Sequence, residues 1–350
     1  FFNFIVPPRV KGKVITVIYD MTYLRFPETM NESNLRRIRR DIGYSVARSD
    51  KIVTISEFSK NEIHELLQVP EEKIEVVYSA PSITTGVTDF QIVQQRLKIQ
   101  RPYLLYVGTI EPRKNLIRLI QAFDWLKKEK QIPHQLILAG GGGWKTEEIY
   151  QSAEETQFAE EIQFTGYLSS EEKNALYQNA DAMVFPSLYE GFGMPPLEAM
   201  LFGCPVICSD AASLPEIVGE AAELVDPLDV QAIADGIWRV LSNRDYRSLL
   251  IEKGAQQALR LQVERLRDFA RTQLVHIREG AQADGQETLL GAGQAGRTGT
   301  PAEKSLQAQR RLAQAAAGAM ARALRRYGLT RLELLGERGP AGANGERGAE

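Results

Sequence analysis

Residues 181–210 read DAMVFPSLYEGFGMPPLEAMLFGCPVICSD and contain a complete strand, loop, helix and strand. The runs DAMVFPS and CPVICSD at the two ends are short and apolar, which is typical of strands buried on both faces of a sheet. Between them PPLEAMLF reads as a helix, because Pro195 and Pro196 suit a first turn and Gly203 suits a helix end. This order predicts two parallel strands of one sheet.

The same alternation of strand and helix extends through the first 260 residues. Three apolar runs come first, namely KVITVIYD (13–20), KIVTIS (51–56) and KIEVVYS (73–79), with helical-period segments over 34–49 and 56–69. Ser56 or Ser59 would cap the second of these helices, and Pro70 would end it. Six further runs begin at 103, 134, 161, 181, 204 and 222, with helices predicted over 115–130, 169–180 and 229–242. We therefore predict an α/β protein with two doubly wound parallel sheets.

Length and composition indicate two domains and a tail. The 350 residues correspond to about two domains of roughly 150 residues each. We expect a partial first domain over 1–95, a second domain over 96–260 and a helical, low-complexity tail over 261–350. Glycine recurs at every third position from 336 to 348, a short collagen-like period. A run this short cannot hold a triple helix alone, so the tail is predicted to be disordered, or a fused or frame-shifted terminus.

Charge, cysteine content and hydropathy argue against several classes of protein. A net charge of −3 gives no general attraction to nucleic acid. Cys204 and Cys208 lie in one apolar run, where we expect buried thiols rather than a disulfide or a zinc site. No apolar stretch reaches about 18 residues, and no signal-peptide pattern opens the chain. We expect a cytoplasmic protein, with peripheral contact at the inner face of a membrane if its substrate lies there.

In a doubly wound sheet, ligands bind beyond the carboxyl ends of the strands, so the loops after each strand are the ones to inspect. The run YLLYVGT leads into GTIEPRKN (108–115), where Gly108 permits a close turn and Arg113 and Lys114 precede a helix that begins around Asn115. Two cations beside a helix N-terminus predict a diphosphate site. The alternative is a solvated basic loop.

A glycine-rich loop follows the next strand, in LAGGGGWKT (138–146). It resembles a phosphate-binding P-loop, but Trp144 stands where that motif requires glycine directly before Lys145. We therefore predict that the glycines permit a close approach of the backbone to a ligand or to the neighbouring strand.

The loop SLYEGFGM follows DAMVFPS and carries Glu190, while Glu198 falls in the first turns of the next helix. Gly191 and Gly193 allow positive φ, so the backbone N–H groups between them can point into the same crevice as the cations. A carboxylate can accept hydrogen bonds from two neighbouring hydroxyls, as in ribose or hexose recognition. The alternative is that Glu198 caps its own helix and Glu190 is solvated.

Three separated stretches carry a family resemblance: VGTIEPRKN (107–115), TGYLSSEEKNALYQNADAMVFPSLYEGFGMPPLEAMLFGCPVICSD (165–210) and SLPEIVGEAAELVDP (213–227). They closely resemble the retaining GT-B glycosyltransferases usually called family 4, group 1, over roughly residues 13–258. The E-x7-E motif of that family falls on Glu190 and Glu198. The resemblance implies two Rossmann-like domains with a nucleotide-diphospho-sugar between them.

The resemblance also implies roles for individual residues. Arg113 and Lys114 would hold the diphosphate, with Gly108 close by, and Glu198 would hold the ribose diol. Glu190 would hold hexose hydroxyls with help from the backbone, and the residues expected beside the sugar or the base are Phe192, Gly193, Met194, Tyr167 and Leu168. No metal is implied, because cations and a helix end would stabilise the departing diphosphate.

Two departures from the family accompany this resemblance. Many relatives carry His-Asp where this chain has Tyr19-Asp20, so Tyr19 would replace the histidine as a hydrogen-bond donor, or activity would be weakened, and Asp20 stays a catalytic candidate. Family members also carry residues before this strand, which implies an N-terminal domain truncated at its start. We predict transfer of a hexose, mannose from GDP-mannose, with retention to a glycan or lipid-linked acceptor in polysaccharide biosynthesis. The alternative is a catalytically impaired nucleotide-sugar-binding fragment or chimera with a collagen-like tail.

Overall fold

A computed structural model describes residues 1, 4–81, 88–100 and 102–287, with side chains described as far as residue 265. The chain divides into two compact units, Phe1–Gln262 and Val263–Glu350, close to the predicted start of the tail. The collagen-like repeat of the sequence lies outside the described residues. All of the strands described below lie in the first unit.

The described strands form two parallel sheets, as the sequence predicts. The smaller sheet has the order β1-β2-β3 and the larger one the order β6-β5-β4-β7-β8-β9. The strands are β1 Ile15–Val17, β2 Lys51–Thr54, β3 Ile74–Val76, β4 Tyr103–Val107, β5 Gln135–Ala139, β6 Ile162–Gly166, β7 Ala182–Phe185, β8 Val206–Ser209 and β9 Glu223–Val225. Each strand falls inside a run singled out from the sequence, and all named neighbours pair in parallel.

Helices connect these strands and cover the sheets. They are α1 Thr22–Arg25, α2 Glu32–Arg48, α3 Glu57–Leu67, α4 Phe90–Leu97, α5 Leu116–Trp125, α6 Glu147–Glu155, α7 Ser170–Asn179, α8 Met194–Leu201, α9 Leu214–Val218, α10 Val230–Ser242 and α11 Arg244–Glu287. The cap of α3 is Ser56 rather than Ser59, since the Ser56 hydroxyl accepts the Ser59 backbone N–H at 3.1 Å. Ser169 and Glu172 form a reciprocal capping box on α7.

The larger sheet changes its direction of winding at β4. From β4 the chain moves outward to β5 and β6 on one side, and then returns to place β7, β8 and β9 on the other. Strands β4 and β7 pair in parallel, with Leu104 opposite Ala182. At such a switch point the loops leave the two strands in opposite directions and open a crevice at their carboxyl ends. The loops that follow these two strands are the ones that carry Arg113 and Glu190.

Two apolar cores hold the sheets together. In the larger sheet every residue of β4, β5, β7 and β8 is buried, as expected for strands covered on both faces. The aromatic rings of Tyr106 and Phe185 stack there with centroids 5.9 Å apart. The smaller sheet has its own core, which includes Ile18, Ile52 and Ile63.

Helix α4 crosses the domain division predicted at residue 95. Its buried Val93 and Leu97 belong to the core of the larger sheet. Burial of these two side chains makes α4 part of the larger α/β layer, so the division between the two cores lies before Phe90 rather than inside the helix.

The two sheets belong to one compact unit. A carboxylate on α9, beside the larger sheet, accepts hydrogen bonds from the first N–H groups of α3, beside the smaller sheet. Glu216 on α9 accepts hydrogen bonds from the backbone N–H groups of Glu57 at 2.8 Å and Phe58 at 2.9 Å, at the start of α3. It also accepts the hydroxyl of Tyr78 at 2.9 Å. The first N–H groups of a helix have no partner within the helix, so Glu216 supplies a cap from a distant part of the chain.

Both cysteines are free and buried, as predicted. Burial raises the pKa of the Cys204 thiol to about 12 and that of the Cys208 thiol further, so both act as small apolar side chains. None of the helices in the described part of the chain has both the length and the apolar character to cross a bilayer.

Candidate active site

Arg113, Lys114 and Glu190 meet at the switch point of the larger sheet. The Arg113 guanidinium lies 3.1 Å from one carboxylate oxygen of Glu190, and the Lys114 ammonium lies 2.5 Å from the other. Glu111 completes the group by accepting from Arg113 at 2.7 Å. The sequence predicts these cations beside a ligand, and the structure shows two carboxylates already paired with them. The solvated-loop alternative is wrong, because all four side chains are largely buried.

Electrostatics in this cluster keeps its groups charged. Burial alone would raise the pKa of Glu190, but Lys114 and Arg113 outweigh it and hold that pKa below its usual value. Burial would lower the pKa of Arg113, and there Glu190, Glu111 and Asp20 outweigh it and raise that pKa. Asp20 therefore lies close enough to the cluster to act on the charge of Arg113. Its carboxylate also accepts the backbone N–H of Thr22 at 2.9 Å.

A turn held by Asn115 presents the two cations. Pro112–Lys114 forms one 3-10 turn, and Asn115 then takes a left-handed conformation with φ of 61° before α5 begins. The Asn115 side-chain amide donates to the carbonyls of Pro186 at 3.0 Å and Pro227 at 2.6 Å. Asn is among the few residues other than Gly that adopt this conformation readily. The sequence indicates Asn115 only as the approximate start of a helix, and its position directly after the Arg-Lys pair was the available signal for this second role.

The two glycines beside Glu190 serve different purposes. Gly193 has φ of 111° and directly precedes α8, as the sequence predicts for positive φ. Gly191 does not use the positive φ that a glycine allows. A Cβ atom on Gly191 would lie 2.6 Å from the carbonyl oxygen of Tyr19 and 2.8 Å from Cβ of Asp20. Glycine is needed at position 191 because the loop lies in close contact with Tyr19 and Asp20, which follow β1. A local sequence pattern cannot reveal a contact with such a distant part of the chain.

Ser213 fixes the backbone on both sides of Gly191. Its hydroxyl is 2.9 Å from the carbonyl of Glu190 and 3.0 Å from that of Phe192. The Phe192 side chain is buried and packs near Tyr78, with ring centroids 6.4 Å apart. The Phe192 ring is therefore structural, and the backbone at Phe192, Gly193 and Met194 remains the candidate for contact with a ligand.

Glu198 lies on α8, one turn into the helix, and pairs with α7. Its carboxylate is 2.7 Å from the Lys173 ammonium and 3.1 Å from the Tyr177 hydroxyl. The alternative that Glu198 caps its own helix is wrong, since its partners lie on another helix. Glu198 and Lys173 border a cavity of about 310 Å³. Its other lining residues are Ala80, Pro81, Ser170, Asn174, Met194, Leu201 and Phe202. Lys173 and Tyr177 carry no motif that would have singled them out.

The remaining candidates lie on the loops at the same edge of the larger sheet. Among the described residues, Tyr167 is the most exposed large apolar side chain, at 87%, and the half-buried Leu168 packs against the core. Gly108 follows β4, and a Cβ atom on Gly140 would lie 1.9 Å from the Gly108 carbonyl oxygen. The glycine-rich loop therefore permits a close approach of neighbouring backbone. Among the described residues no group of His, Cys, Asp and Glu is arranged to hold a metal ion.

Comparison with known proteins identifies the family. A model described as Glycosyl transferases group 1 matches residues 87–257. O-antigen chain mannosyltransferase B of Escherichia coli is 35% identical over 260 residues, which cover 73% of this chain and 68% of that protein. The chain belongs to the glycosyl transferases group 1 family. This confirms the family resemblance found from the motifs around Arg113 and Glu190.

Other relatives of this glycosyltransferase also carry mannosyltransferase names. Serotype-specific mannosyltransferase WbdA of Escherichia coli is 31% identical over 262 residues, 71% of this chain and 32% of that protein. The chain thus spans about a third of the length of that relative. The MMP alpha-(1->4)-mannosyltransferase of Mycolicibacterium hassiacum is 32% identical over 204 residues, 57% of this chain and 47% of that protein.

Solved structures show the fold of the glycosyltransferase. Sucrose-phosphate synthase from Thermosynechococcus elongatus matches with a TM-score of 0.63 at 20% identity, over 77% of this chain and 69% of that one. HepE of Anabaena, in complex with UDP and glucose, matches with a TM-score of 0.63 at 19% identity, over 75% and 72%. The predicted GT-B architecture of two parallel α/β sheets is confirmed.

Proposed function

We propose that this glycosyltransferase moves mannose from GDP-mannose to a glycan or lipid-linked acceptor, with retention of configuration at the transferred carbon. The mannosyltransferases among its relatives support the choice of sugar. The observation that carries the proposal is the meeting of Arg113, Lys114 and Glu190 at the carboxyl ends of β4 and β7. This is the position in a doubly wound sheet where a nucleotide ligand is expected.

Arg113 and Lys114 would bind the diphosphate of the donor. Arg113 offers a planar fork of N–H donors, whereas Lys114 offers a point charge on a flexible stem. As the bond between the sugar and the diphosphate breaks, negative charge grows on the departing oxygen. Two buried cations near that oxygen stabilise the charge, and this would be the main catalytic contribution of the chain.

Glu190 would exchange partners when the donor binds. In the structure its two oxygens face Lys114 and Arg113, whose charges the diphosphate would then neutralise. The carboxylate becomes free to accept hydrogen bonds from mannose hydroxyls, while backbone groups at Phe192, Gly193 and Met194 help to orient the sugar. Asp20 acts electrostatically on Arg113 and would contact the reacting end of the donor.

Glu198 would bind the ribose diol of the nucleoside. The cavity beside it provides the room, and Tyr177 and Lys173 hold the carboxylate in position. Tyr167 and Leu168, in the loop after β6, would flank the base. Exposure of the Tyr167 ring is consistent with a surface that a base can cover.

The transfer step requires no covalent link to the protein. The bond between C1 of mannose and the diphosphate oxygen breaks, and the acceptor oxygen forms a new bond to C1 on the same face. The acceptor proton passes to an oxygen of the departing phosphate, so the charge balances. We propose that no metal takes part, since Arg113 and Lys114 supply the positive charge.

A basic helix supports a location at the inner face of a membrane. Helix α2 carries four exposed arginines, and its Tyr44 is 46% exposed. The arginines are Arg36, Arg37, Arg39 and Arg40. Each cation near an anionic lipid surface contributes about 1 kcal/mol of binding free energy. Binding to vesicles that contain anionic lipid, but not to neutral vesicles, would support this location.

The test is to incubate the purified chain with GDP-mannose and a mannose-terminated oligosaccharide, with and without EDTA. We expect an α-linked product by NMR, formed equally in both samples. Parallel calorimetry compares GDP with UDP. GDP binding without transfer to any mannose acceptor would favour the alternative, a nucleotide-sugar-binding fragment that lacks turnover.

A further inference from the structure

Tyr189 directly precedes Glu190 but projects toward elements that surround the smaller sheet. Its side chain is 3% exposed. Its ring lies between Phe26, at a centroid distance of 5.4 Å, and Phe58, at 5.8 Å. A residue of the loop after β7 is thus embedded in a pocket formed by another part of the chain.

The hydroxyl of Tyr189 is satisfied at the bottom of this pocket. It accepts the backbone N–H of Met21 at 2.9 Å and donates to the carboxylate of Glu62. Glu62 lies on α3, is 5% exposed and forms an ion pair with Arg25 at 2.6 Å. Burial, together with the neighbouring Glu62 carboxylate, raises the pKa of Tyr189, so the phenol keeps its proton and stays a donor.

The residue that follows Glu190 in the chain, Gly191, also forms hydrogen bonds with elements of the smaller sheet. The carbonyl of Gly191 accepts the hydroxyls of Ser56 at 2.8 Å and Ser59 at 3.3 Å. On the nearer side, the carbonyl of Tyr189 accepts the Arg113 guanidinium at 2.5 Å. The backbone at Tyr189 therefore supports both Glu190 and Arg113, while its side chain is fixed by Glu62.

We propose that Tyr189 and Glu62 are positioning residues for sugar transfer. The hydrogen bond between them fixes the loop, so that Glu190 points at the sugar, whereas Arg113 is held separately by Glu111. This inference rests on the proposed function, since it takes Glu190 to contact the transferred sugar. It makes the donor site dependent on α3, a helix of the smaller sheet that contacts no part of the donor in the proposed arrangement.

The experiment compares Tyr189→Phe, Glu62→Gln and the double variant with wild type. A matched control is Tyr246→Phe, because Tyr246 donates to the Glu223 carboxylate in the same way but outside the candidate site. For each protein we would measure kcat and KM for mannose transfer from GDP-mannose, the melting temperature, and the dissociation constants of GDP and GDP-mannose by calorimetry.

We expect Tyr189→Phe to lower kcat by about tenfold, since a small misplacement of catalytic groups is costly, while the affinity for GDP changes by less than about twofold. GDP-mannose should lose its affinity advantage over GDP, because Glu190 no longer meets the sugar. The double variant should be about as impaired as the worse single variant, since both remove one hydrogen bond. Tyr246→Phe should lower the melting temperature about as much as Tyr189→Phe does, but it should keep the wild-type kcat.

Two results would overturn the inference. One is an unchanged kcat and an unchanged ratio of GDP-mannose to GDP affinity in Tyr189→Phe. The other is an equal loss of kcat in Tyr246→Phe, which would show a general effect of stability. If wild type binds GDP-mannose but transfers nothing, the proposed function fails, and the affinity ratio still decides whether Tyr189 positions Glu190.

Discussion

At the scale of single residues, the candidate site is an arrangement of charges that already neutralise one another. Glu190 forms ion pairs with both Arg113 and Lys114 in the structure. A diphosphate must therefore compete with an internal carboxylate for the same cations. From the sequence, Arg113 and Lys114 are expected to be free to bind an anionic ligand. Nothing in the motif indicates that Glu190 pairs with both cations in the free protein.

Glu190→Gln is expected to bind GDP more tightly than wild type does, by about threefold to tenfold, because the amide leaves both cations without a charged partner. Transfer of mannose should fall at the same time, since the amide accepts sugar hydroxyls less strongly. Calorimetry and an initial-rate assay measure the two effects. Glu223→Gln, which changes a carboxylate paired with Arg239, serves as the control, and weaker GDP binding by Glu190→Gln would contradict the exchange.

Glu198→Ala is expected to weaken GDP binding by about 1.5 to 3 kcal/mol, the cost of losing a hydrogen bond to a charged group. The same variant should bind 2′,3′-dideoxy-GDP as wild type does, since that nucleotide lacks the diol. Calorimetry with the two nucleotides provides the comparison. Equal losses for both would show that Glu198 acts through the fold around Lys173 and Tyr177 and not on ribose.

At the scale of elements, the loop between β7 and α8 is shaped by two kinds of requirement. One is the local backbone conformation, and the other is contact with residues distant in the sequence. Gly193 meets a backbone requirement at the start of α8 that the sequence reveals. Gly191 meets a steric requirement imposed by Tyr19, which is remote in sequence. Tyr189 and Glu62 are likewise remote in sequence. Strands, caps and the switch point could be predicted because they depend on local periodicity and strand order. The contacts of this loop with Tyr19 and Glu62 could not be predicted, because they depend on how the elements of the two sheets pack against each other.

Gly191→Ala is expected to destabilise the protein by about 1 to 3 kcal/mol, the usual cost of forcing an extra methyl group into a packed site. The added carbon would meet the Tyr19 carbonyl and Cβ of Asp20, so mannose transfer should fall as well. Gly141→Ala is a suitable control, because a Cβ atom there would have open space. Chemical unfolding and the transfer assay would measure both variants, and equal behaviour would argue against a close contact at Gly191.

At the scale of the whole molecule, acid stability depends on carboxylates that are paired in the fold. Asp181, which precedes β7, lies 3.1 Å from the His134 ring and 2.8 Å from the Arg247 guanidinium. The hydrogen bond from His134, and then Arg247 against the opposing effect of burial, hold the pKa of Asp181 below its usual value. The unfolded chain therefore takes up the proton first as the pH falls, and this contribution to stability is lost below about pH 4.

Asp181→Asn should lower the melting temperature at pH 7, and this effect should shrink progressively as the pH falls below about 4, where the unfolded wild-type chain takes up a proton that the folded state still excludes. Melting curves across this range measure the difference, with Asp235→Asn, an exposed carboxylate on α10, as the control. A difference between Asp181→Asn and wild type that stays constant with pH would rule out the proposed titration.

The carboxylate of Glu216 has a further consequence for the way the protein unfolds. It accepts the first two backbone N–H groups of α3 from the larger sheet's side, so these groups lose their partner, while the Ser56 cap remains, as soon as the larger sheet's connections melt. We expect the two sheets to share one cooperative transition, seen as a single calorimetric peak for Phe1–Gln262. Glu216→Ala should broaden that peak, since one of the contacts that couple the two sheets is lost while those of Tyr189 and Gly191 remain.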